Sequence, residues 1–463
     1  MTTLRDAAPS AAGPLDADHA VARFQQLLRV PTMSRTDPAE TDWPVFTRFR
    51  ALLAELYPLT HATLELELVA GHSMLFRWRG TSDVAATAPT VLMAHYDVVA
   101  ASAEGWQHPP FDAVVVEGDG DDSGRVIWGR GTLDDKGALV AVLEAVEAQL
   151  ADGFTPVNDI YLSFGHDEET HGSGAQAAAA LLRERGIRPA LVLDEGGAIV
   201  SGVLPGLARP SAMIGVSEKG ITSLSLRVDQ QGGHASTPPK MTATVRLARA
   251  VVRLNARPFP SAINPAIAEM LRTVGAHTTG PLSGVFRRPS LFSPLLRVVF
   301  SRMSDETNAL VRTTTAVTQL SGSMAANALA ERAEAIVNVR VAVGSSVEQT
   351  VRHVRRAIAD PLVHVSVQDA SEPSPVSPMT GPAWQSIVDA VAVLDPAVLS
   401  TPYVQTGASD SRHFTGISDA VYRFAPFEMS ADERATLHAK NERIHAATWL
   451  RGIGFYRQLI AGR

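Results

Sequence analysis

Short apolar runs that break off in charged residues recur through the first half of the chain. "TVLMAHYDVV" (90–99), "IYLSFGHDEE" (160–169) and "PALVLDEGG" (189–197) each open on a run of aliphatic and aromatic residues and close on His, Asp or Glu. Continuous runs of this length predict strands buried on both faces. Between the first two, "KGALVAVLEAVEAQLADG" (136–153) has the spacing of an amphipathic helix that stops at Gly153. Strands alternating with helices predict an α/β unit, a mostly parallel sheet with helices on both faces.

The middle of the chain changes period. "ITSLSLRVDQ" (221–230) alternates every second residue, the helix-like "TATVRLARAVVRL" (242–254) follows, and "AEAIVNVRVAV", "SVEQTVRHVRRAIAD" and "VHVSVQ" (333–368) repeat strand, helix, strand. Twice strand–helix–strand predicts a small ferredoxin-like α+β domain. A long Pro-containing stretch around 256–312 interrupts it as an extra insertion. "SEPSPVSP" (371–378) is a linker back, and "PAWQSIVDAVAVL" and "TWLRGIGFYRQLIAG" are closing helices. The expected organisation is one unit of residues 1–216 and 373–463 interrupted by a second of residues 217–372.

Composition narrows the chemistry. With no cysteine among 463 residues, disulfides, thiolate metal sites and cysteine nucleophiles are excluded, so a metal would need His, Asp and Glu. The net charge of −7 with no basic block argues against a nucleic-acid partner. The first twenty residues lack the apolar core of a signal peptide and no run reaches the length of a membrane span, so a cytoplasmic protein without membrane contact is expected.

The strand ends are where ligand chemistry is expected, because open α/β sheets bind ligands beyond the carboxyl ends of their strands. His95 and Asp97 end the first run, Asp167, Glu168 and Glu169 the second, and Asp194 and Glu195 the third, while "WGRGTLDDKG" sets Asp134 and Asp135 just ahead of the helix. Crowded carboxylates are tolerated when cations lie between them. His95 and Asp97 are two apart and share a strand face, so Asp97 can hold the histidine ring directly or through its backbone. Each short motif alone is weak; a solvated acidic helix start or a core histidine explains any one of them.

Together, in this order, "HYDVV", "WGRGTLDDKG", "GHDEETHG", "LVLDEGG", "GGHASTP" and "HAKNERI", with "GWQHPPFDA" before the second, resemble the M20 family of di-zinc metallopeptidases. The resemblance spans residues 95–445 and is nearest the branch of Gly-X carboxypeptidases and N-acyl-amino-acid hydrolases. It implies a zinc-peptidase-like catalytic domain and an inserted lid or dimerisation domain. It implies two Zn2+ per chain, with Co2+ or Mn2+ able to replace them. His95, Asp134 and Asp194 would hold one ion and Asp134, Glu169 and His438 the other, with Asp194 favoured over Glu195. Glu168 would be the general base, assisted by Asp97. In the inserted domain His234 would polarise the scissile carbonyl, often from a partner subunit, and Asn327 and Arg340 would contact the substrate, Arg340 through its carboxylate. The implied reaction is metal-dependent hydrolysis of a small peptide or N-acyl amino acid at the amide next to a free carboxylate. A carboxypeptidase of Gly-X type leads; an aminoacylase or dipeptidase, or a non-enzymatic metal-bound binding module, are the alternatives. A homodimer is compatible with the resemblance, although the bulk of 256–312 departs from a minimal lid. Residues 406–414, "TGASDSRHF", match a loop near the substrate, where Asp410, Ser411 and Arg412 either touch substrate or brace the loop.

Overall fold

The computed structural model describes residues 16–82, 88–118, 124–202, 207 and 209–463. The opening segment judged free of a signal-type core lies, up to residue 15, outside the described residues. Among the described residues no helix is long and apolar enough to cross a membrane.

The three apolar runs form adjacent strands. The larger sheet runs Glu65–Val69, Ser73–Trp78, Ile160–Gly165, Thr90–His95, Leu191–Asp194, Val421–Arg423, Ser211–Glu218, Leu399–Gln405, with Ile199–Val200 beside Ser211–Glu218. Its centre is parallel, from Ile160–Gly165 through Thr90–His95 and Leu191–Asp194 to Val421–Arg423. Outside that centre the sheet is mixed. The 65–78 hairpin joins antiparallel and Val421–Arg423 meets Ser211–Glu218 antiparallel. A tight turn at Ala70 and Gly71, both at positive φ, permits the hairpin.

The helix Lys136–Ala151 departs from its sequence pattern. It is buried almost all round, from Lys136 to Val146, because the helices Ala17–Leu28 and Ala446–Ala461 and the strand Thr90–His95 all lie against it. Burial of each large aliphatic side chain such as Leu139 or Leu143 contributes about 1.5–3 kcal/mol. The helix is thereby a fixed post for the residues at its N-terminus, Asp134 and Asp135.

The second sheet is antiparallel in the order Thr314–Ser321, Arg332–Val341, Gly220–Asp229, His364–Ser371, with helices Ala243–Asn255 and Val347–Ile358 against it. That is the ferredoxin-like arrangement, with its own core around Leu224, Leu247, Val337 and Val354. On its way into the smaller sheet the chain crosses by the single residue Lys219. Its buried ammonium donates to the carbonyls of Ala309 and Arg312 at 3.0 and 2.9 Å.

The stretch around 256–312 forms helices Pro265–His277, Pro281–Phe286, Ser293–Met303 and Asp305–Val311. Although encoded between strands of the smaller sheet, their apolar residues Ile267, Met270, Leu271, Leu296 and Phe300 join the core of the larger one. Finally, Arg443–His445 pairs with Arg125–Trp128, and that with Val114–Glu117, laying residues 438–442 against the 129–134 loop.

Candidate metal centre

Because Ile160–Gly165, Thr90–His95 and Leu191–Asp194 are neighbours and parallel, their carboxyl ends deliver His95, Glu168, Glu169 and Asp194 to one edge of the sheet. Donor atoms of His95, Asp134 and Glu169 all lie within 4.8 Å of one another. Asp134 stands between two histidines: its Oδ1 is 2.9 Å from Nε2 of His95, and its Oδ2 is 2.9 Å from Nε2 of His438. His438 Nε2 is also 3.1 Å from Glu169 Oε2. Ligand atoms on a tetrahedral zinc stand about 3.3 Å apart when the bonds are about 2.0–2.1 Å, so these spacings suit a shared ion.

A backbone of hydrogen bonds holds each donor. Nδ1 of His95 faces the carbonyl of Asp97 at 3.0 Å, which leaves Nε2 for a ligand role. The Asp97 carboxylate accepts the hydroxyl of Ser34 at 2.7 Å and the amides of Glu168 and Glu169 at 3.2 and 3.1 Å. One buried residue thus fixes both the histidine, through its carbonyl, and the backbone of Glu168 and Glu169, through its carboxylate. Asp167 turns away and accepts the amides of Ser173 and Gly174 at the start of the next helix. Asp194 Oδ2 accepts the amide of Ser411 at 2.7 Å, so Ser411 braces the strand end, and Arg412 donates to the carbonyl of Ser409. The Asp134–Asp135 peptide is cis.

Residue Glu442 was not singled out from the sequence, although it lies inside the "HAKNERI" motif. Its carboxylate is fully buried and accepts from Arg130 Nη1 at 2.7 Å and from the amides of Gly131, Leu133 and Asp134 at 3.1, 2.7 and 3.2 Å. It ties the loop that carries Asp134 to the loop that carries His438. His438 itself has φ of 56°, in the left-handed region that non-glycine residues occupy mainly at turns and strained sites.

The electrostatics are those of a site short of positive charge. Burial pushes Glu168 well up, with Asp410, Asp134 and Glu169 adding to it. Burial and Asp134 likewise raise Glu169, and burial raises Asp194. Glu195 is pushed well up by burial and by Asp134 and Asp135. Asp410, buried beside Asp194 with neither oxygen hydrogen-bonded, is pushed to about 8. Hydrogen bonds to Asp134 and Glu169 hold His438 up at about 10. Oε1 of Glu169 is buried without a hydrogen-bond partner. An orphaned carboxylate oxygen, crowded acids and two imidazoles in contact with them form a donor set that fits divalent cations.

The other histidines near the motifs have different partners. His166 Nδ1 meets the Ser73 hydroxyl at 2.7 Å, His171 meets the carbonyl of Thr36 at 2.9 Å, and His445 faces Glu433. In the smaller unit, His234 and Asn327 stand side by side: Gly233–His234 pairs with Ala328–Leu329, and the amide of Ala235 donates to the carbonyl of Asn327 at 2.9 Å. Both are exposed, and His234 Nδ1 bonds to Ser236, not to the acidic cluster. Arg340 lies half-buried on Arg332–Val341, within the electrostatic reach of Glu168 and Glu218. Among the described residues no carboxylate forms an ion pair with it.

Three comparisons fall on this geometry. The family described as Peptidase family M20/M25/M40 matches residues 91–462. The human N-fatty-acyl-amino acid synthase/hydrolase PM20D1 is 34% identical over 439 residues, covering 94% of this chain and 85% of that protein. A probable carboxypeptidase S-like 2 of Dictyostelium discoideum is also 34% identical, over 449 residues, covering 94% of this chain and 84% of its own. The crystal structure of an M20 family metallo-carboxypeptidase, Sso-CP2 from Sulfolobus solfataricus, superposes with a TM-score of 0.68 at 16% identity, covering 96% of this chain and 98% of that one.

Proposed function

Because the chain belongs to peptidase family M20/M25/M40, a family of metal-dependent amide hydrolases, we propose that it cleaves the amide bond between an acyl group and an amino acid whose carboxylate is free. C-terminal peptide bonds and N-acyl amino acids both meet that description. The observation that supports the carboxylate requirement is Arg340, a half-buried guanidinium near Glu168 that lacks an anionic partner among the described residues. A planar guanidinium binds a terminal carboxylate through two parallel hydrogen bonds.

The proposed holders of the metal are His95, Asp134 and Asp194 on one side and Asp134, Glu169 and His438 on the other, with zinc the expected ion. When bound, the ions would supply Lewis acidity and a water acidified towards neutral pH. Glu168 then takes the proton of the attacking water and returns it to the leaving nitrogen. Its buried, acid-crowded surroundings raise its affinity for a proton, the direction such a shuttle needs. Asp97 positions His95 and the Glu168 amide. His234, with Asn327 beside it, donates to the developing oxyanion once the smaller unit closes or a second copy of the chain supplies it.

Elemental analysis of metal-replete protein is expected to give about two divalent ions per chain. His95→Ala and His438→Ala should each lower that content. Activity that survives exhaustive chelation would sink the metal assignment.

The carboxylate reading has its own test. Amidating or esterifying the substrate carboxylate should depress kcat/KM severely in wild type and much less in Arg340→Ala. Arg340→Lys should not restore the difference, since an ammonium lacks the two-pronged geometry. Equal losses in both proteins would assign the carboxylate to another residue.

A further inference from the structure

A cavity of about 510 Å³ opens beside the carboxylate cluster, between the 265–311 helices and the end of the larger sheet. One wall is Met270, Phe300, Met303 and Leu310 from the helices; the other includes Met213 and Tyr403 from the sheet. Part of its remaining lining is close in sequence to the candidate metal-binding residues. Gly196 and Gly197 follow Asp194 and Glu195 directly, Leu437 precedes His438, and Gln405 and Thr406 lead into the loop whose Ser411 amide holds Asp194. The cavity therefore begins where the candidate metal centre ends.

We propose that this cavity is the acyl-side subsite, built by the inserted helices to take an unbranched apolar chain on the order of 10–15 carbons. The proposal rests on the function proposed above. Volume sets the ceiling: at ~30 Å³ per chain carbon, about the room a water molecule takes up, 510 Å³ holds at most about 17 carbons, and imperfect filling brings the length to about 10–15. Shape and chemistry follow from the lining: methionine side chains are flexible and polarizable and fit irregular alkyl conformations. The cation in the wall, Arg434, is already matched by Glu306 at 3.1 Å, so the cavity offers no free charge for a carboxylate. Arg340, on the smaller sheet, has no anionic partner among the described residues. An amide laid across the cluster then has its carboxylate towards Arg340 and its acyl chain in the cavity.

The test is a chain-length series, N-acetyl to N-hexadecanoyl on one amino acid, with Met303 as the probe position. Met303 lines the cavity yet is 44% exposed, so a large side chain is accommodated there without opening the core. In wild type kcat/KM should rise by roughly two- to fourfold per added methylene until the cavity is full. Met303→Trp should cost at least tenfold on the dodecanoyl substrate and less than twofold on the acetyl one. Met303→Ala should shift the optimum to a longer chain. Binding of dodecanoate itself, measured by calorimetry, gives a readout independent of turnover and should weaken at least tenfold in Met303→Trp. A flat length profile with the acetyl substrate cleaved, or equal losses on both substrates in Met303→Trp, overturns the subsite and leaves the proposed reaction intact. Absence of cleavage of every carboxylate-bearing amide overturns the reaction, and unchanged dodecanoate binding in Met303→Trp then overturns the subsite as well.

Discussion

Glu168→Gln should abolish most turnover, with kcat lower by roughly 10²–10⁴ or more and metal content unchanged. The substitution keeps size and the amide that Asp97 accepts at 3.2 Å, and removes only the ability to take a proton. The two neighbouring acids make the experiment discriminating. Glu169 touches His438, whereas among the described residues Glu168 forms no hydrogen bond or ion pair with either site histidine. Kinetics paired with elemental analysis separate the roles. If the Gln variant loses metal along with activity, Glu168 is a ligand and its neighbour is the base. If it retains activity, the proton shuttle lies elsewhere.

The second large effect is expected directly behind Asp134, at Glu442. Glu442→Leu leaves Arg130, whose side chain is 3% exposed, as a buried charge without its partner. Breaking a buried pair in this way costs about 3–5 kcal/mol. It also strands the amides of Gly131, Leu133 and Asp134, which aim Asp134 between the two histidines. A thermal melt should show a fall of several degrees, and metal affinity should drop by about 10–100-fold, as is usual when a residue orienting a ligand is lost. Glu442→Gln, which retains one acceptor and the volume, should lose less of both. A variant whose stability falls while its metal affinity holds would reduce Glu442 to a structural anchor.

The central strands and their terminal His, Asp and Glu were legible because a strand buried on both faces must be apolar throughout, so the first charge marks its end. The ferredoxin-like unit was legible by its two-residue alternation, with one strand missed. Thr314–Ser321 is an edge strand, exposed along most of its length, and its polar sequence carries no burial pattern. Nor does the sequence show that helices encoded inside the smaller unit pack on the larger sheet, since an apolar helix face does not name its partner. Glu442 was hidden for a similar reason. A lone glutamate in a polar motif has the look of a solvated residue, and only its neighbours from residues 130–134 reveal a buried acceptor. Where Asp410, Ser411 and Arg412 allowed either bracing or substrate contact, the amide of Ser411 on Asp194 and the bond from Arg412 to Ser409 support bracing.

Strands from either side of the ferredoxin-like unit lie in one sheet, and this dictates an order of events at the ribosome. Asp194 emerges 217 residues before the Ser411 amide that braces it, and Asp134 emerges 308 residues before Glu442. At synthesis rates of about 5–20 residues per second, the second interval lasts roughly 15–60 s. Only after residue 371 is made can the smaller unit close its own sheet, and the larger sheet still waits with one edge open and its carboxylates unlocked. Long-range pairings of this kind are slow to form. The nascent chain thus passes through a period in which an apolar sheet edge is exposed, and that period ends only when the last strands and the Ala446–Ala461 helix are delivered. Metal capture by the proposed residues, which include His438, is accordingly expected late in the life of each new molecule.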